Sequence, residues 1–419
     1  MKTFYENFLT FLGIFSSGFF NKLNYLPEQE IEKYQKKLIK KQINYCIKNI
    51  EFYRNLEIKV KDNPLDTLKQ FPIISKDDVI KNPEKFRPAR ISNFLSSSHS
   101  TSGITGKILK SDCSPFAWII EQAAIWSHWR SANYKFRDRI LILRGYNPQP
   151  DEPIFKKNRI KNWLYFSPRH LNEDDLNEKI KIIEDFSPLF IRGYPSTIKQ
   201  LAFFCFKNNI SFPSLKGILS ASETFIEKDR EFVKKAFNAP IYDHYGQAEI
   251  SCMFHECDAH KGMHLIPYYG YVEFLPDKSG NLKIIATNLR NKFLPLIRYD
   301  TGDLVESFTK EKCECLKTTL RVPSIVGRAD SMLYDSNNNK FSSTSMITFL
   351  SSFPFLKRFQ IIQKKDLKTE FIYEYEKGLD NIELETYLKN IFGREIVFNP
   401  SNNFILSSEG KFSSIITSK

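Results

Sequence analysis

The segment of residues 101–107 has the composition of a phosphate-binding loop. It reads Thr-Ser-Gly-Ile-Thr-Gly-Lys, with two glycines and three hydroxyl side chains before a lysine. Glycine permits tight backbone turns, and successive backbone N–H groups and hydroxyls can surround phosphate oxygens. The segment is not a Walker P-loop, because Thr101 stands where that motif has its first glycine and Ile108 follows the lysine. Taken alone, such a stretch is more often an ordinary surface loop.

Two further segments could hold the rest of a nucleotide. Tyr245-Gly-Gln-Ala-Glu249 follows a predicted strand, so its aromatic ring could stack on a purine and its carboxylate could bind Mg²⁺. Asp303 follows a glycine in the segment 298–304 and could accept hydrogen bonds from the two hydroxyls of a ribose. The simpler alternatives are a core tyrosine with a solvated glutamate, and an aspartate in a turn.

A cluster of cysteines and histidines has the composition of a zinc site. Tetrahedral zinc takes four Cys or His ligands, commonly from two such groups. The favoured set is Cys257, His264, Cys313 and Cys315, and the site would be structural. Cys252, His255 and His260 are substitutes within the same stretch of thirteen residues. Free thiols and surface histidines are the alternative.

The elements that must position these residues alternate in type. Apolar runs at 140–143, 215–219 and 240–242 predict buried strands, and helical patterns cover 28–54 and 115–130. The alternation predicts an α/β domain. Alternating strands at 270–275 and 282–287, joined by a turn, predict a β-rich subdomain within 265–327.

The remaining C-terminal segment predicts a small α+β unit. The elements expected there are helices at 343–353 and 381–392 and strands at 359–363, 370–376 and 394–399. At the other end of the chain, residues 8–20 form an apolar stretch too short to span a bilayer. It predicts a buried first helix, with weak contact to a membrane surface as the lesser alternative.

Composition narrows the class of protein. A chain of 419 residues with a net charge of +13 predicts two domains and a surface that attracts anions such as nucleotides or coenzyme A. Nucleic acid is not expected as a partner, because no RNA-binding or zinc-finger signature of the usual spacing is present. Seven cysteines, an odd number, do not suggest a disulfide framework. Without a signal or spanning segment, a cytoplasmic location without stable membrane insertion is expected.

Taken in order, these motifs resemble the adenylate-forming superfamily of acyl-CoA synthetases and adenylation domains. The closest resemblance is to the phenylacetate–CoA ligase branch, including its capsular-polysaccharide-associated members. Arg192-Gly-Tyr-Pro-Ser196 and Ser220-Ala-Ser-Glu223 are similar to two further segments of that branch. The resemblance implies an α/β N-terminal domain with a β-rich subdomain, residues 1–329, and a small α+β lid, residues 330–419.

The resemblance also implies a reaction and its residues. A carboxylate attacks the α-phosphate of ATP, pyrophosphate leaves, and the acyl-adenylate passes its acyl group to CoA or to an amine or alcohol. Glu249 would bind Mg²⁺, and Lys411, in a polar loop near the C-terminus, would bridge the carboxylate and the α-phosphate as the second catalytic residue. Tyr245 would stack on adenine, Asp303 and Arg328 would contact ribose, and Asp330 would mark the hinge. The implied ATP contacts are Ser100, Thr101, Ser102, Gly103, Thr105, Gly106, Lys107, Ser222, Glu223, Tyr245, Gly246, Gln247, Asp303 and Arg328. Tyr146, Tyr194 and His244 would line the acyl pocket.

The chain departs from the family pattern at three places. Ala248 replaces the usual Ser or Thr before the motif glutamate, Ile104 replaces a threonine of the phosphate loop, and residues 334–340 lack the usual glycine. Since that last segment normally shapes the thioester-forming state, the choice between CoA and an amine or alcohol stays open. A catalytically reduced nucleotide-binding relative with a regulatory role is the alternative function.

Overall fold

The computed structural model describes the chain from residue 2 to residue 417 with internal gaps. The described residues are 2–89, 97–100, 109–149, 151–171, 173–225, 227–277, 280–328, 332–343, 346–347, 350, 356–364, 366–375, 382–393, 395–401, 403–406 and 412–417. The helices are α1 Lys2–Lys22, α2 Glu28–Asn49, α3 Glu51–Arg54, α4 Pro64–Leu68, α5 Lys76–Lys81, α6 Pro115–Ser131, α7 Glu173–Phe186, α8 Pro195–Lys207, α9 Glu227–Phe237 and α10 Ile382–Phe392. Short 3-10 helices occupy Leu23–Tyr25 and Pro83–Phe86.

The strands form five sheets within these described ranges. In chain order they are β1 Ser97–Ser100, β2 Lys110–Cys113, β3 Ile140–Leu143, β4 Phe155–Asn158, β5 Trp163–Phe166, β6 Phe190–Gly193, β7 Gly217–Ala221, β8 Ile241–Gly246, β9 Met253–Glu256, β10 Met263–Leu265, β11 Gly270–Pro276, β12 Leu282–Asn288, β13 Tyr299–Val305, β14 Arg321–Val322, β15 Gly327–Arg328, β16 Met332–Tyr334, β17 Lys340–Ser342, β18 Leu356–Gln363, β19 Thr369–Tyr375, β20 Val397–Pro400 and β21 Ile415–Thr417.

The largest sheet has a parallel centre. Its order is β14-β10-β9-β8-β7-β6-β3-β5-β4. Strands β5, β3, β6, β7 and β8 are parallel, whereas β4 and the three strands beyond β8 pair antiparallel. One face packs against a core that includes Leu176, Ile198 and Val233 of α7, α8 and α9, and the other face packs against α6. Because both faces are covered, β3 is apolar at every position, as its sequence predicted.

A second sheet is antiparallel, in the order β11-β12-β13-β15. Strands β11 and β12 form the hairpin that the alternating pattern predicted. At the start of β11 the backbone passes so close to the large sheet that only glycine fits. A Cβ on Gly270 would lie 2.0 Å from the carbonyl oxygen of Ser251.

The C-terminal unit contains a third sheet, β20-β19-β18-β21. Leu384 and Leu388 of α10 pack with Phe359, Ile361 and Phe371 of this sheet in one apolar cluster. The predicted fold class is therefore confirmed: an α/β domain with a β-rich subdomain, followed by a small α+β unit. The predicted boundary between residues 329 and 330 falls outside the described part of the chain, and so does Asp330.

The prediction of a buried first helix was wrong. Helix α1 packs against α6, where the indole N–H of Trp118 donates to Thr10 and a Cβ on Gly13 would lie 2.5 Å from Cβ of Gln122. Its other face is open, since Phe11 is 50% and Phe15 69% exposed. Helix α6 already covers this side of the sheet, so α1 lies in a further layer and buries only one of its faces. No described helix is both long enough and apolar enough to cross a membrane.

Candidate functional site

The carboxyl ends of the parallel strands gather several candidate residues at one edge of the large sheet. Tyr146 follows β3, Tyr194 follows β6, and Glu223 follows β7. Tyr245 lies near the end of β8. Open α/β sheets bind ligands in the crevice outside this edge, because the loops there diverge.

A hydrogen bond between Tyr245 and Asp303 connects the large sheet to the antiparallel sheet that contains β13. The hydroxyl of Tyr245 donates to Oδ2 of Asp303 at 2.6 Å, and the amide of Gln247 donates to the same hydroxyl. Asp303 is buried, and in the antiparallel register it lies opposite Arg328. Burial, reinforced by the Asp303 carboxylate, raises the pKa of Tyr245 well above its usual value, so the phenol stays protonated. The structure thus brings together three residues expected to hold adenosine.

Glu249 contacts β13, the strand that carries Asp303. It is 6% exposed, and its Oε1 accepts a hydrogen bond of 2.9 Å from the hydroxyl of Tyr299 in β13. This bond fixes one carboxylate oxygen and leaves lone pairs on the other, which is the donor chemistry that Mg²⁺ prefers. The following residue, Ile250, has φ of 55°. A left-handed conformation is strained for a β-branched residue, and such strain concentrates at functional sites.

Glu223 connects this edge to the C-terminal unit. Its Oε2 accepts from the backbone N–H of Ser196 at 3.1 Å, and its Oε1 accepts from the backbone N–H of Phe412 at 2.9 Å. Ser222, immediately before it, has φ of 75°. Phe412 is the residue after Lys411. Although Lys411 lies outside the described residues, its neighbour is hydrogen-bonded to a predicted ATP-binding residue.

The predicted phosphate loop, residues 101–107, is likewise not among the described residues. Its flanks are described: β1 pairs antiparallel with β2, with Ser100 opposite Lys110. The loop therefore connects the two strands of a hairpin. The guanidinium of Arg87 donates to the carboxylate of Asp112 in β2 at 2.8 Å.

The residues predicted for the acyl pocket lie on neighbouring strands. The ring of Tyr146 is 6.4 Å from that of Tyr165, and the guanidinium of Arg144 lies 4.8 Å from the ring centroid of Tyr194. The imidazole of His244 is 5.5 Å from that of His128 on α6. Burial, followed by the nearby His128, holds the pKa of His244 well below its usual value, so its ring is neutral.

A candidate metal centre lies at the antiparallel end of the large sheet. The ligand atoms of Cys257, His264, Cys313 and Cys315 all lie within 4.8 Å of one another. The sulfurs of Cys257 and Cys313 are 3.8 Å apart, and Sγ of Cys315 is 3.4 Å from Nε2 of His264. Burial and then Lys317 lower the pKa of His264 to about 4, which keeps its imidazole neutral and able to bind a metal.

The three substitute ligands do not join this group. Cys252 lies near Gln247, and His255 contacts the sulfur of Met253. His260 bonds the carboxylate of Glu256, which also pairs with Arg230.

Sequence patterns did not assign a role to two residues at this edge. Tyr299 was seen only as a member of the segment around Asp303, and Arg192 only as the first residue of a family segment. The signal available for Arg192 was a cation at the end of an otherwise apolar strand.

Comparisons with known proteins agree with this geometry. Protein CapK of Staphylococcus aureus is 23% identical over 361 residues, which cover 83% of this chain and 76% of CapK. Phenylacetate-coenzyme A ligase of Thermus thermophilus is 24% identical over 397 residues, covering 90% of this chain and 85% of the ligase. A crystal structure of 2-hydroxyisobutyryl-CoA ligase in the postadenylation state has a TM-score of 0.68 at 15% identity, covering 94% of this chain and 91% of that one. No protein-family model matches the chain.

Proposed function

Because the chain belongs to the adenylate-forming superfamily, on its phenylacetate–CoA ligase branch near CapK, we propose that it activates a carboxylic acid with ATP and transfers the acyl group. It is an AMP-forming ligase. In the first step a carboxylate oxygen bonds to the α-phosphorus as the bond from this phosphorus to the bridging oxygen of pyrophosphate breaks. In the second step a nucleophile takes the acyl group and AMP leaves.

The observation that carries this proposal is the convergence of separate segments at one sheet edge. Tyr245 bonds Asp303, Glu249 is buried and accepts from Tyr299 on the same strand as Asp303, and Glu223 accepts from the residue next to Lys411. Two anions must meet in the first step, so the site needs positive charge and fixed donors. Bound at Glu249, Mg²⁺ would supply part of this charge. Lys411 would supply the rest from the C-terminal unit, between the carboxylate and the α-phosphate.

The acceptor is either the thiol of CoA or an amine or alcohol. Relatives named as phenylacetate-coenzyme A ligases favour CoA. The segment 334–340, which lacks a glycine, favours an amine or alcohol. The resemblance to capsule-associated family members favours an acceptor of this kind in surface polysaccharide synthesis.

We also propose that the four-residue cluster binds a structural Zn²⁺. Two thiolates on tetrahedral zinc, each at about 2.3 Å from the metal, are about 3.8 Å apart, which agrees with the distance between Cys257 and Cys313. Nδ1 of His264 lies 3.1 Å from the carbonyl oxygen of Thr319. Donation to this carbonyl places the proton on Nδ1 and leaves Nε2 for the metal. All four ligands come from the protein, so the ion would tie the loop around Cys313 to the sheet.

Pyrophosphate release tests the function. A series of carboxylic acids is incubated with ATP and Mg²⁺, alone and with CoA or candidate amines, and pyrophosphate and the acyl product are measured. Lys411→Ala should abolish release while ATP affinity stays within about threefold, since the lysine acts mainly on the developing charge. Lys364→Ala, an exposed lysine of the same C-terminal unit, is the matched control. Release that persists in Lys411→Ala would refute its role, and ATP binding without release for any acid would favour a regulatory relative.

A further inference from the structure

All four tryptophans of the chain line one cavity. Its volume is about 280 Å³, and it lies between α1, α6 and strands β5 and β6. The lining residues that matter here are Trp118, Trp126, Trp129, Trp163, Lys161 and Arg192. A volume just below the usual range of about 300–1,000 Å³ suits a small ligand, and indole walls favour a flat apolar body.

Arg192 brings a positive charge to this cavity. Its guanidinium lies 4.7 Å from the ring centroid of Trp129, and in the described part of the chain it forms no ion pair with a carboxylate. Glu121 is close enough to influence it, but that carboxyl accepts from Tyr269, and burial raises its pKa to about 7. Burial, reinforced by Arg144, lowers the pKa of Arg192 to about 9. A desolvated cation without a partner is unfavourable, and such groups mark binding sites.

Lys161 adds a second cation on the same wall. Its ammonium lies 4.7 Å from the ring of Trp163, and no described carboxylate pairs with it. Burial and the charge of Arg192 lower its pKa. The indole N–H of Trp129 also has no acceptor among the described residues. Two cations and one unused donor lie beside four indole rings in this cavity, whose wall also has three polar side chains and one isoleucine. Cations next to aromatic rings can bind an organic anion.

A row of aromatic rings runs from the cavity to the residues predicted to hold the acyl group. The ring of Trp163 is 6.3 Å from that of Tyr165, which is 6.4 Å from that of Tyr146. Arg192 is two residues before Tyr194, and both belong to the carboxyl end of β6. The distal end of an acid bound at the Tyr146 side therefore points along a row of aromatic rings towards Arg192.

We propose that this tryptophan cavity binds the far end of the activated acid, and that the acid carries a second anionic group, such as a second carboxylate, on a flat apolar body. That the protein activates this acid rests on the function proposed above. The second anion would lie between Arg192 and Lys161, and the reacting carboxylate would lie at the opposite end.

Tryptophan fluorescence reports on this cavity directly, because the chain has no tryptophan elsewhere. The probes are benzene-1,3-dicarboxylate, benzoate and the neutral benzamide, titrated into the full-length protein. We expect saturable quenching that is strongest for the dicarboxylate and weakest for benzamide. Arg192→Gln should weaken dicarboxylate binding by about tenfold or more. Arg130→Gln, which removes an exposed arginine from α6, should change it by less than about twofold. Equal binding of dicarboxylate and amide, equal effects of the two variants, or no saturable response to any probe would overturn the proposal.

A second measurement separates this inference from the proposed function. Pyrophosphate release is compared for dicarboxylic acids and matched monocarboxylic acids in the wild type and in Arg192→Gln. A preference for dicarboxylic acids that is lost in Arg192→Gln supports both the cavity assignment and the ligase function. Release with monocarboxylic acids only, unchanged in the variant, overturns the cavity assignment and leaves the ligase intact. Anion binding without release from any acid supports the cavity and counts against the ligase.

Discussion

Glu223→Ala should slow acyl-adenylate formation by loosening the contact between the C-terminal unit and the sheet edge. In the structure one carboxylate holds two backbone N–H groups, that of Ser196 on the sheet side and that of Phe412 beside Lys411. Alanine removes both acceptors. If adenylation proceeds from the arrangement in which these units touch, its rate falls with the population of that arrangement.

The size of the effect is taken from the bond that Glu223 accepts from the backbone N–H of Phe412. A hydrogen bond to a charged acceptor contributes about 1.5–3 kcal/mol. Glu223 is half-buried, so the lower value applies, about 1.5 kcal/mol, or roughly a tenfold loss. The bond to Ser196 lies within the N-terminal part of the chain. Its loss should therefore lower the stability of that part more than it changes the contact with the C-terminal unit.

Glu223→Gln provides a graded control. Its amide has one acceptor oxygen where the carboxylate has two, so it can hold one of the two N–H groups and must release the other. It should fall between the wild type and Glu223→Ala in ATP–pyrophosphate exchange. Exchange by Glu223→Ala within about twofold of the wild type, with unchanged unfolding temperature, would refute the reasoning.

Three further predictions concern stability and metal binding. Gly13→Ala should lower the free energy of unfolding by about 1–3 kcal/mol, because a Cβ there would lie 2.5 Å from a side-chain carbon of α6. Gly18→Ala should raise the free energy of unfolding by about 0.5–1 kcal/mol, because no atom lies within 4 Å of the added Cβ and alanine favours the helix. Urea unfolding measures both. Cys313→Ser should reduce bound zinc from about one per chain to near zero by elemental analysis, and Cys252→Ser, outside the ligand group, should leave it unchanged. Burial raises the pKa of Glu121 to about 7, above its usual 4.5, so the wild type loses stability as the pH rises between these values. Glu121→Gln should remove this loss, so the variant should be more stable than the wild type by about 1–3 kcal/mol at pH 8 but not at pH 4. Unfolding of both proteins is measured at the two pH values. An equal stability difference at pH 4 and pH 8 would contradict the assignment.

Local patterns predicted the elements well where burial is uniform. The run Ile140–Leu143 is a strand with the bounds expected, because a strand covered on both faces must be apolar at every position. The first helix shows the limit of such patterns. Its apolar residues predicted burial, but whether the second face meets protein or solvent depends on which layer the helix joins.

The zinc candidates show a different limit. Five Cys and His residues lie between 252 and 264, and the sequence favoured two of them as ligands but kept the other three as substitutes. The choice depends on the register of β9 and β10 and on the turn between them. Gly262 has φ of 114° in that turn, and a Cβ there would lie 2.5 Å from the carbonyl oxygen of Val322. This contact is long-range in sequence, so no local pattern contains it.

Electrostatics at the two ends of the proposed acid pocket determine which acids can react. Under the proposed function the acid must meet a triphosphate at one end, where Mg²⁺ and Lys411 would compensate the charge. At the other end, Arg192 and Lys161 are already desolvated and without carboxylate partners in the described chain. An acid with a single carboxylate can pair with these cations or face the α-phosphate, but cannot do both. It is therefore held with its only carboxylate turned away from the reaction, or reacts while two buried cations stay unpaired. A site with a buried polar group strongly rejects a ligand that lacks the matching polar group. This discrimination is far stronger than that of an apolar pocket against a ligand that lacks one methylene. The same two cations that destabilise the empty pocket thus make a second anion a requirement for productive binding.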